Sequence, residues 1–323
     1  MADSRNKQSA DLRERVGTVL VARLAPEDRL WVGLSGGCDS VVLLHAMARL
    51  GYGRRLAAIH VHHGLSPNAD AWAEACAEFC DSLGVPLTVR HVDVDTSGGH
   101  GLEAAARAAR YGVFSELTGD CLMLAHHRGD QAETVLFNLL RGTGVQGAAG
   151  MPVERRLGHL RLLRPLLDVG RGEIEAYALA NGLRWIDDES NADTVLSRNF
   201  LRHDVLPVIR LRFPAAETAL AQAAANFGEA TGLLDDLAEL DWQQVAVGPL
   251  ASLKALRALS QPRLKNLLRY RLRQLGWRVP VATRLDEFAR QLQVAAPDRH
   301  PALSLPDGRM YAARGLLHWL PTA

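Results

Sequence analysis

Lysine is the first scarcity. Only Lys7, Lys254 and Lys265 are present, and the remainder of the 37 basic residues are arginine. A Walker-type phosphate loop, G-x-x-x-x-G-K-S/T, is therefore absent. Cysteine is scarce too, at Cys38, Cys76, Cys80 and Cys121. No two of them form C-x-x-C, which argues against a zinc ribbon, a thioredoxin-type centre or a sulfur-relay pair. Cys76 and Cys80 are spaced to share a buried helix face, and all four read as reduced structural thiols. No apolar run approaches the roughly 18 residues of a membrane span. The polar start, MADSRNKQSADLRERV, lacks the apolar centre of a secretory signal. The expectation is a cytoplasmic protein with no membrane partner.

What is present suits an ordinary globular chain. Hydrophobic residues make up 48% and charged residues 23% of 323, enough for about two domains with large cores. The net charge is only +1 but unevenly spread. Glu217–Asp241 carries six acids and no Lys or Arg, whereas Lys254–His300 carries eleven Lys or Arg and three acids. In SQPRLKNLLRYRLRQLGWR, helical spacing puts Leu264, Leu267, Leu268 and Leu272 inside and the cations outside. Alone that is a solvated face. Beside a nucleic-acid substrate it becomes a phosphate-binding surface, with Lys265 and Arg269 the leading candidates.

The first half alternates strand and helix. Arg29–Leu34, Arg54–His62, Pro86–Val94 and Cys121–Ala125 read as strands, with helical patterns between them. This predicts an α/β fold with a doubly wound, mostly parallel sheet, whose ligands lie at the carboxyl ends of the strands. From about Pro214 the pattern is nearly all helix, ending in an alternating stretch with Asp307-Gly308 as a hairpin turn. The expected domains are 1–214, catalytic, and 215–323, mainly helical. Gly142–Gly147 spells G-x-G-x-x-G but follows a helix, so it fails the dinucleotide-fold test and reads as a flexible substrate-facing loop.

Between the first strand and its helix stands Ser35-Gly36-Gly37-Cys38-Asp39-Ser40. Two glycines allow close backbone approach, the helix N-terminus favours an anion, and the two hydroxyls add donors. Asp39 would repel phosphates unless a cation lay between, which points to Mg2+. His62-His63 and His126-His127 end two strands. Adjacent strand residues face opposite ways, so neither pair makes a zinc site; one of each pair reads as a site-lining donor. On GDQAETVLF, Asp130 and Glu133 share a helix face and could hold an ammonium, while Arg107 and Arg110, likewise three apart, could fork a carboxylate.

S-G-G-x-D-S after a first strand resembles the PP-loop of the ATP pyrophosphatases, which split ATP between the α- and β-phosphates to adenylate an oxygen. Four more stretches, His60–Trp72, Gly101–Phe114, Ala125–Met151 and Trp185–Pro207, resemble one branch in order, the tRNA(Ile)-lysidine synthetases. The resemblance implies a C–N ligase in which ATP adenylates the C2 oxygen of the wobble cytidine of a CAU-anticodon tRNA(Ile). Lysine then attacks C2, giving lysidine, AMP and pyrophosphate. It implies ATP at Ser35, Gly36, Gly37, Cys38, Asp39 and Ser40, with His60 and His62 towards the adenosine. Lysine falls to Asp130, Glu133, Arg107 and Arg110, and Mg2+ to Asp39 with Asp130 as second candidate. Arg198, Asn199 and Arg202, resembling the family's R-N-x-x-R, take phosphate or tRNA. Asp39, Asp130 and Arg107 are the expected catalytic residues. Two positions depart from the family's pattern: Gly129 where an acid is usual, and Leu196 where a tyrosine is usual. The rivals are a PP-loop tRNA thiolase, disfavoured by the missing C-x-x-C, an amidating synthetase, which has no use for the basic helices, and a non-catalytic nucleotide sensor. The oligomeric state is open, a dimer being one option.

Overall fold

The computed structural model describes residues 2–94, 101–187, 197–296 and 299–322. Leu196, with the rest of 188–196 in the fifth resembling stretch, lies outside them. The chain divides into two compact units, Met1–Gly228 and Glu229–Ala323.

The first unit opens with α1 (Ala2–Val21), which the polar start had hidden. Its buried side is Leu12, Val16 and Leu20, one residue per turn. Then come β1 (Leu30–Gly33), α2 (Cys38–Met47), β2 (Leu56–His62), α3 (Ala69–Leu83), β3 (Leu87–His91), α4 (Leu102–Ser115), β4 (Cys121–Met123), α5 (Arg128–Leu140) and the single turn α6 (Val145–Ala148). β5 (Glu154–Leu157), β6 (Leu160–Leu163), α7 (Arg171–Ala180), α8 (Ser197–Phe200) and α9 (Leu206–Arg212) follow. α10 (Ala216–Val245) contains the division between the units. The sheet order is β3-β2-β1-β4-β6-β5. Every pairing is parallel except the edge pair β5–β6, a hairpin not anticipated from sequence. The expected doubly wound sheet is present, with one antiparallel edge.

Helices α1, α2, α3 and α7 share one core, in which Leu12, Val42, Cys76, Cys80, Ile174 and Tyr177 meet. α4 covers the other face through Phe114, against Ile59, Leu122, Leu124, Leu160 and Leu162. α2 is buried almost all round, so it reads as uniformly apolar rather than striped. Each of Val42, Leu43 and Leu44, wholly buried, contributes about 1.5–3 kcal/mol of transfer free energy. α3 stops at Gly84, whose φ of 64° makes the left-handed cap expected of a glycine there. All four cysteines are free and buried, as read from their spacing. The Gly142–Gly147 segment is a turn followed by α6, so it is not wholly a loop. Asn138 Nδ2 donates to Gly147 O at 2.7 Å and anchors it.

The second unit comprises the rest of α10, then β7 (Ala246–Val247), β8 (Leu250–Ser252), α11 (Leu253–Ala258), α12 (Gln261–Gln274), α13 (Ala282–Val294), β9 (Ala302–Leu305), β10 (Gly308–Ala313) and β11 (Leu316–Pro321). The five strands form an antiparallel sheet, β7-β8-β11-β10-β9. The predicted hairpin exists, with one correction. Leu305 pairs with Gly308, so Pro306-Asp307 forms the turn and Gly308 begins β10. A Cβ at Gly308 would run into the Trp277 ring. The next turn, Arg314-Gly315, has φ of 50° and 75°, the pair of positive angles that a type I′ turn requires. Leu264, Leu267, Leu268 and Leu272 line the buried side of α12 as predicted.

The charge asymmetry of this unit is in good part internal. Arg263 pairs with Asp241, which is fully buried, and Arg273 pairs with Asp235. Tyr270 donates to Glu239 at 2.9 Å, and Lys265 meets Asp286 at 3.0 Å. Two of the α12 cations, Arg263 and Arg273, thus have their partners among the acids of α10.

Candidate active site

β1 pairs with β2 on one side and β4 on the other. The chain runs outward to β3 in one direction and to β6 in the other, so a crevice opens beyond the carboxyl ends of β1 and β4. Leu34–Gly37 lines one side and Leu124–His127 the other.

The first loop is held by its own serines. Ser40 Oγ donates to Gly37 O at 2.9 Å and accepts from Ser35 N at 3.2 Å; the two hydroxyls lie 3.1 Å apart. Gly36 has φ +87°, and a Cβ there would come 2.5 Å from Ile186 Cδ1. Ile186 N also donates to Gly36 O at 3.0 Å, so residues 183–187 lie against the loop. Beside it is a pocket of about 380 Å3, lined by Val41, Cys76, Phe79 and Leu183–Ile186 among others. Cys38 and Cys76 are buried near the loop, their thiols pushed up to about 11 and about 12, mainly by desolvation. They are inert rather than nucleophilic.

Asp39 projects from the first turn of α2. Both of its carboxylate oxygens accept from Arg171 Nη1 at 2.9 Å. Arg171 opens α7 and is braced by Glu175 at 2.7 Å. Sequence reasoning missed Arg171, because a lone arginine at a helix start carries no motif and its partner lies 132 residues away. Burial raises the Asp39 pKa, and His127 and Arg171 act the other way.

α5 is capped by His127, whose Nδ1 accepts from Gly129 N at 2.9 Å, while Asp130 accepts from His127 N at 2.9 Å. The remaining ring nitrogen, Nε2, therefore carries the proton. It lies 3.8 Å from Asp39 and 3.7 Å from Asp130. Gly129 now has a local reason, since a Cβ there would meet His127 Cε1 at 2.7 Å. One turn along α5, Glu133 is buried. Arg202 clasps both carboxylates, with Nε to Glu133 at 2.6 Å and Nη2 to Glu133 at 3.0 Å and to Asp130 at 2.8 Å. Asp130 and Glu133 do share one face, as their spacing required. Burial raises the Glu133 pKa despite Arg202. Burial also pushes Asp130 up, but His127, His126 and Arg202 together bring it below the usual carboxylate range.

His60 is buried, with Nδ1 2.9 Å from Leu34 O, and burial lowers its pKa. His62 Nε2 lies 3.0 Å from Asp70. Both sit on β2 beside the loop, where sequence placed them. Arg107 stacks over the Tyr111 ring at 5.0 Å, with Nη2 donating to Tyr111 Oη at 3.4 Å. Among the described residues, it forms no ion pair with Asp130 or Glu133. Arg110 is on the next turn of α4, and Arg198 and Asn199 are in α8. Lys265 and Arg269 are on α12 of the second unit.

An anion-receptive loop at the switch point of such a sheet, with a carboxylate in its first helical turn, defines a nucleotide-dependent enzyme of the PP-loop class. A family profile described as PP-loop domain matches residues 8–209, and one described as TilS substrate binding domain matches residues 252–318. A tRNA(Ile)-lysidine synthase of Nitrosomonas europaea is 43% identical over 99% of this chain and 71% of its own length. That of Azoarcus sp. is 49% identical over 85% of this chain and 62% of its own. The chain belongs to the tRNA(Ile)-lysidine synthase family. Among solved structures, a U34-tRNA thiolase of Methanococcus maripaludis shares the fold, with TM-score 0.56 and 18% identity over 69% of this chain and 80% of that one.

Proposed function

We propose that this chain is a C–N ligase that forms lysidine at the wobble cytidine of a CAU-anticodon tRNA(Ile). The C2 oxygen of the cytosine attacks the α-phosphorus of ATP and pyrophosphate leaves. The amine of lysine then attacks C2 and AMP departs. The observation that carries this reading is one sheet edge holding both an anion-receptive loop and a second, cation-filled carboxylate pair. A nucleotide sensor has no use for that pair.

Ser35–Ser40 receive the triphosphate through backbone N–H groups and two hydroxyls. We assign the adenosine to the pocket beside Gly36, whose wall residue Cys76 touches His60 at 3.6 Å; His60 and His62 complete that side. Among the described residues no group of three His, Cys, Asp or Glu is placed to hold a metal. Asp39 and Asp130, on either side of His127 Nε2, supply two hard oxygen donors. Mg2+ is ordinarily held by one or two carboxylates plus substrate phosphates, so these residues fit it. When bound, Mg2+ neutralises charge on the phosphates. In this structure Arg171 is the cation that balances Asp39.

The guanidinium of Arg202 stands where a lysine ammonium would stand, bridging Asp130 and Glu133. We assign the lysine ammonium to this pair and its α-carboxylate to Arg107 or Arg110. Glu133, whose proton affinity burial raises, takes the proton that the ammonium must lose before attack. Residues 1–214 carry the chemistry, and 215–323 grip the tRNA, with Lys265 and Arg269 among the phosphate contacts and Arg198 and Asn199 nearer the site. The test is incorporation of radiolabelled lysine into a CAU-anticodon tRNA(Ile) transcript with ATP. Lysine should enter that transcript and not one whose wobble base is guanosine. Sulfur incorporation in place of lysine would instead favour the thiolase reading.

A further inference from the structure

Beyond the carboxylate pair lies a cationic cluster of which the proposed chemistry uses at most Arg107. Arg164, the first residue after β6, is 2% exposed. Its Nη1 donates to Pro152 O at 2.7 Å, and its Nε is buried with no hydrogen-bond partner. Tyr111 of α4 is one of the groups that act on its charge. Arg107 and Arg155 both lie over the Tyr111 ring, at 5.0 and 5.2 Å, and Arg107 also donates to the phenol at 3.4 Å. Two guanidinium groups therefore flank one phenol, and the buried Arg164 adds a third positive charge to its surroundings. Among the described residues, no carboxylate forms an ion pair with Arg107, Arg155 or Arg164. Crowding like charges in a half-buried place is unfavourable, and a buried cation without a counter-charge is costly. The phenol answers only in part: the arginines draw its pKa down although burial alone would raise it. The arrangement calls for an anion.

Position narrows the choice. In the sheet order β1-β4-β6, the cluster stands at the carboxyl end of β6, while the triphosphate loop stands at that of β1. Two strand spacings, roughly 10 Å, separate the two ends, with the carboxylate pocket between them. The anion is thus not a phosphate of ATP. Arg155 sits half-buried on the edge strand β5, so this side borders an open strand edge. A polymer can lie there.

We infer that Arg155, Arg164, Arg107 and Tyr111 form a binding site for one backbone phosphate of the RNA substrate, beside the nucleotide presented to the carboxylate pocket. The assignment rests on the tRNA reading above. The phosphate would be the counter-charge that these guanidinium groups lack, and it would fix the register of the RNA strand against the site.

The test measures affinity for the CAU-anticodon transcript by fluorescence anisotropy across a salt series, without ATP or lysine, for the wild type, Arg155→Gln and Arg155→Lys. Arg155→Gln should weaken binding about three- to tenfold and lower the log–log salt slope by about one. Arg155→Lys should restore most of the slope. The KM values for ATP and lysine should stay within about twofold of wild type. An unchanged slope overturns the site. So does a raised lysine KM with normal RNA binding, which would hand the cluster to the lysine carboxylate. Because binding is read without chemistry, a failure of lysine incorporation by the wild type would sink the ligase reading separately.

Discussion

At the scale of single residues, the informative contact is Arg202 on Asp130 and Glu133. It shows the carboxylates facing one point at cation-binding distance, which i,i+3 spacing alone could only permit. A charge-assisted hydrogen bond to a buried carboxylate is worth about 1.5–3 kcal/mol. Glu133→Gln should therefore raise the KM for lysine by roughly one to two orders of magnitude. Formation of adenylated tRNA without lysine should change little. If adenylation collapses while the lysine KM holds, Glu133 serves the ATP site and the pocket is misassigned. Asp130 is a poorer probe, since its neutralisation also disturbs the cap of α5.

At the scale of elements, the loop-to-helix junction at Gly36 combines a left-handed backbone with close packing. Gly36→Ala would strain the backbone at φ +87° and drive the new methyl into Ile186. Residues 183–187 would have to lift. Stability should fall by about 1–3 kcal/mol and ATP binding should weaken, read by denaturant unfolding and nucleotide titration. A variant that melts and binds like the wild type would show that segment to be freely displaceable. Much of this architecture was legible. The strands at 30–33, 56–62, 87–91 and 121–123 each lie inside a stretch read from apolar runs and turn residues. The β5–β6 hairpin was not, because four-residue strands interrupted by Arg155, Arg156 and Arg161 carry no period. α1 was missed because one apolar residue per turn is a faint stripe. In the site, Asp39, Asp130 and Glu133 were readable from spacing and motif. Arg171 and the Tyr111 cluster were not, since tertiary packing alone brings their members together.

At the scale of the molecule, the first unit buries several neutral imidazoles. Burial is the leading cause that holds His45, His60 and His63 below the ordinary histidine value, and it pushes His126 down to about 3. Above about pH 6.5 these rings are neutral whether folded or not. Below it the unfolded chain takes up protons that the folded unit refuses, so stability falls as the pH falls. Asp39 and Glu133, whose proton affinity is raised, offset part of this at the acid end. Calorimetry should find the protein melting lower at pH 5.5 than at pH 7.5. A flat profile would mean that the rings are protonated in place.

The pairing of α1 with α7 has a consequence for synthesis on the ribosome. Arg15 of α1 donates to Asp168 O just before α7 and to Glu173 within it, across 153 and 158 residues. At about 5–20 residues per second, α1 emerges roughly ten to thirty seconds before the partner that covers it. For that interval Leu12, Val16 and Leu20 are an apolar stripe with an incomplete home. A helix made early is thus finished late, and until then its apolar stripe is a surface for a chaperone to cover.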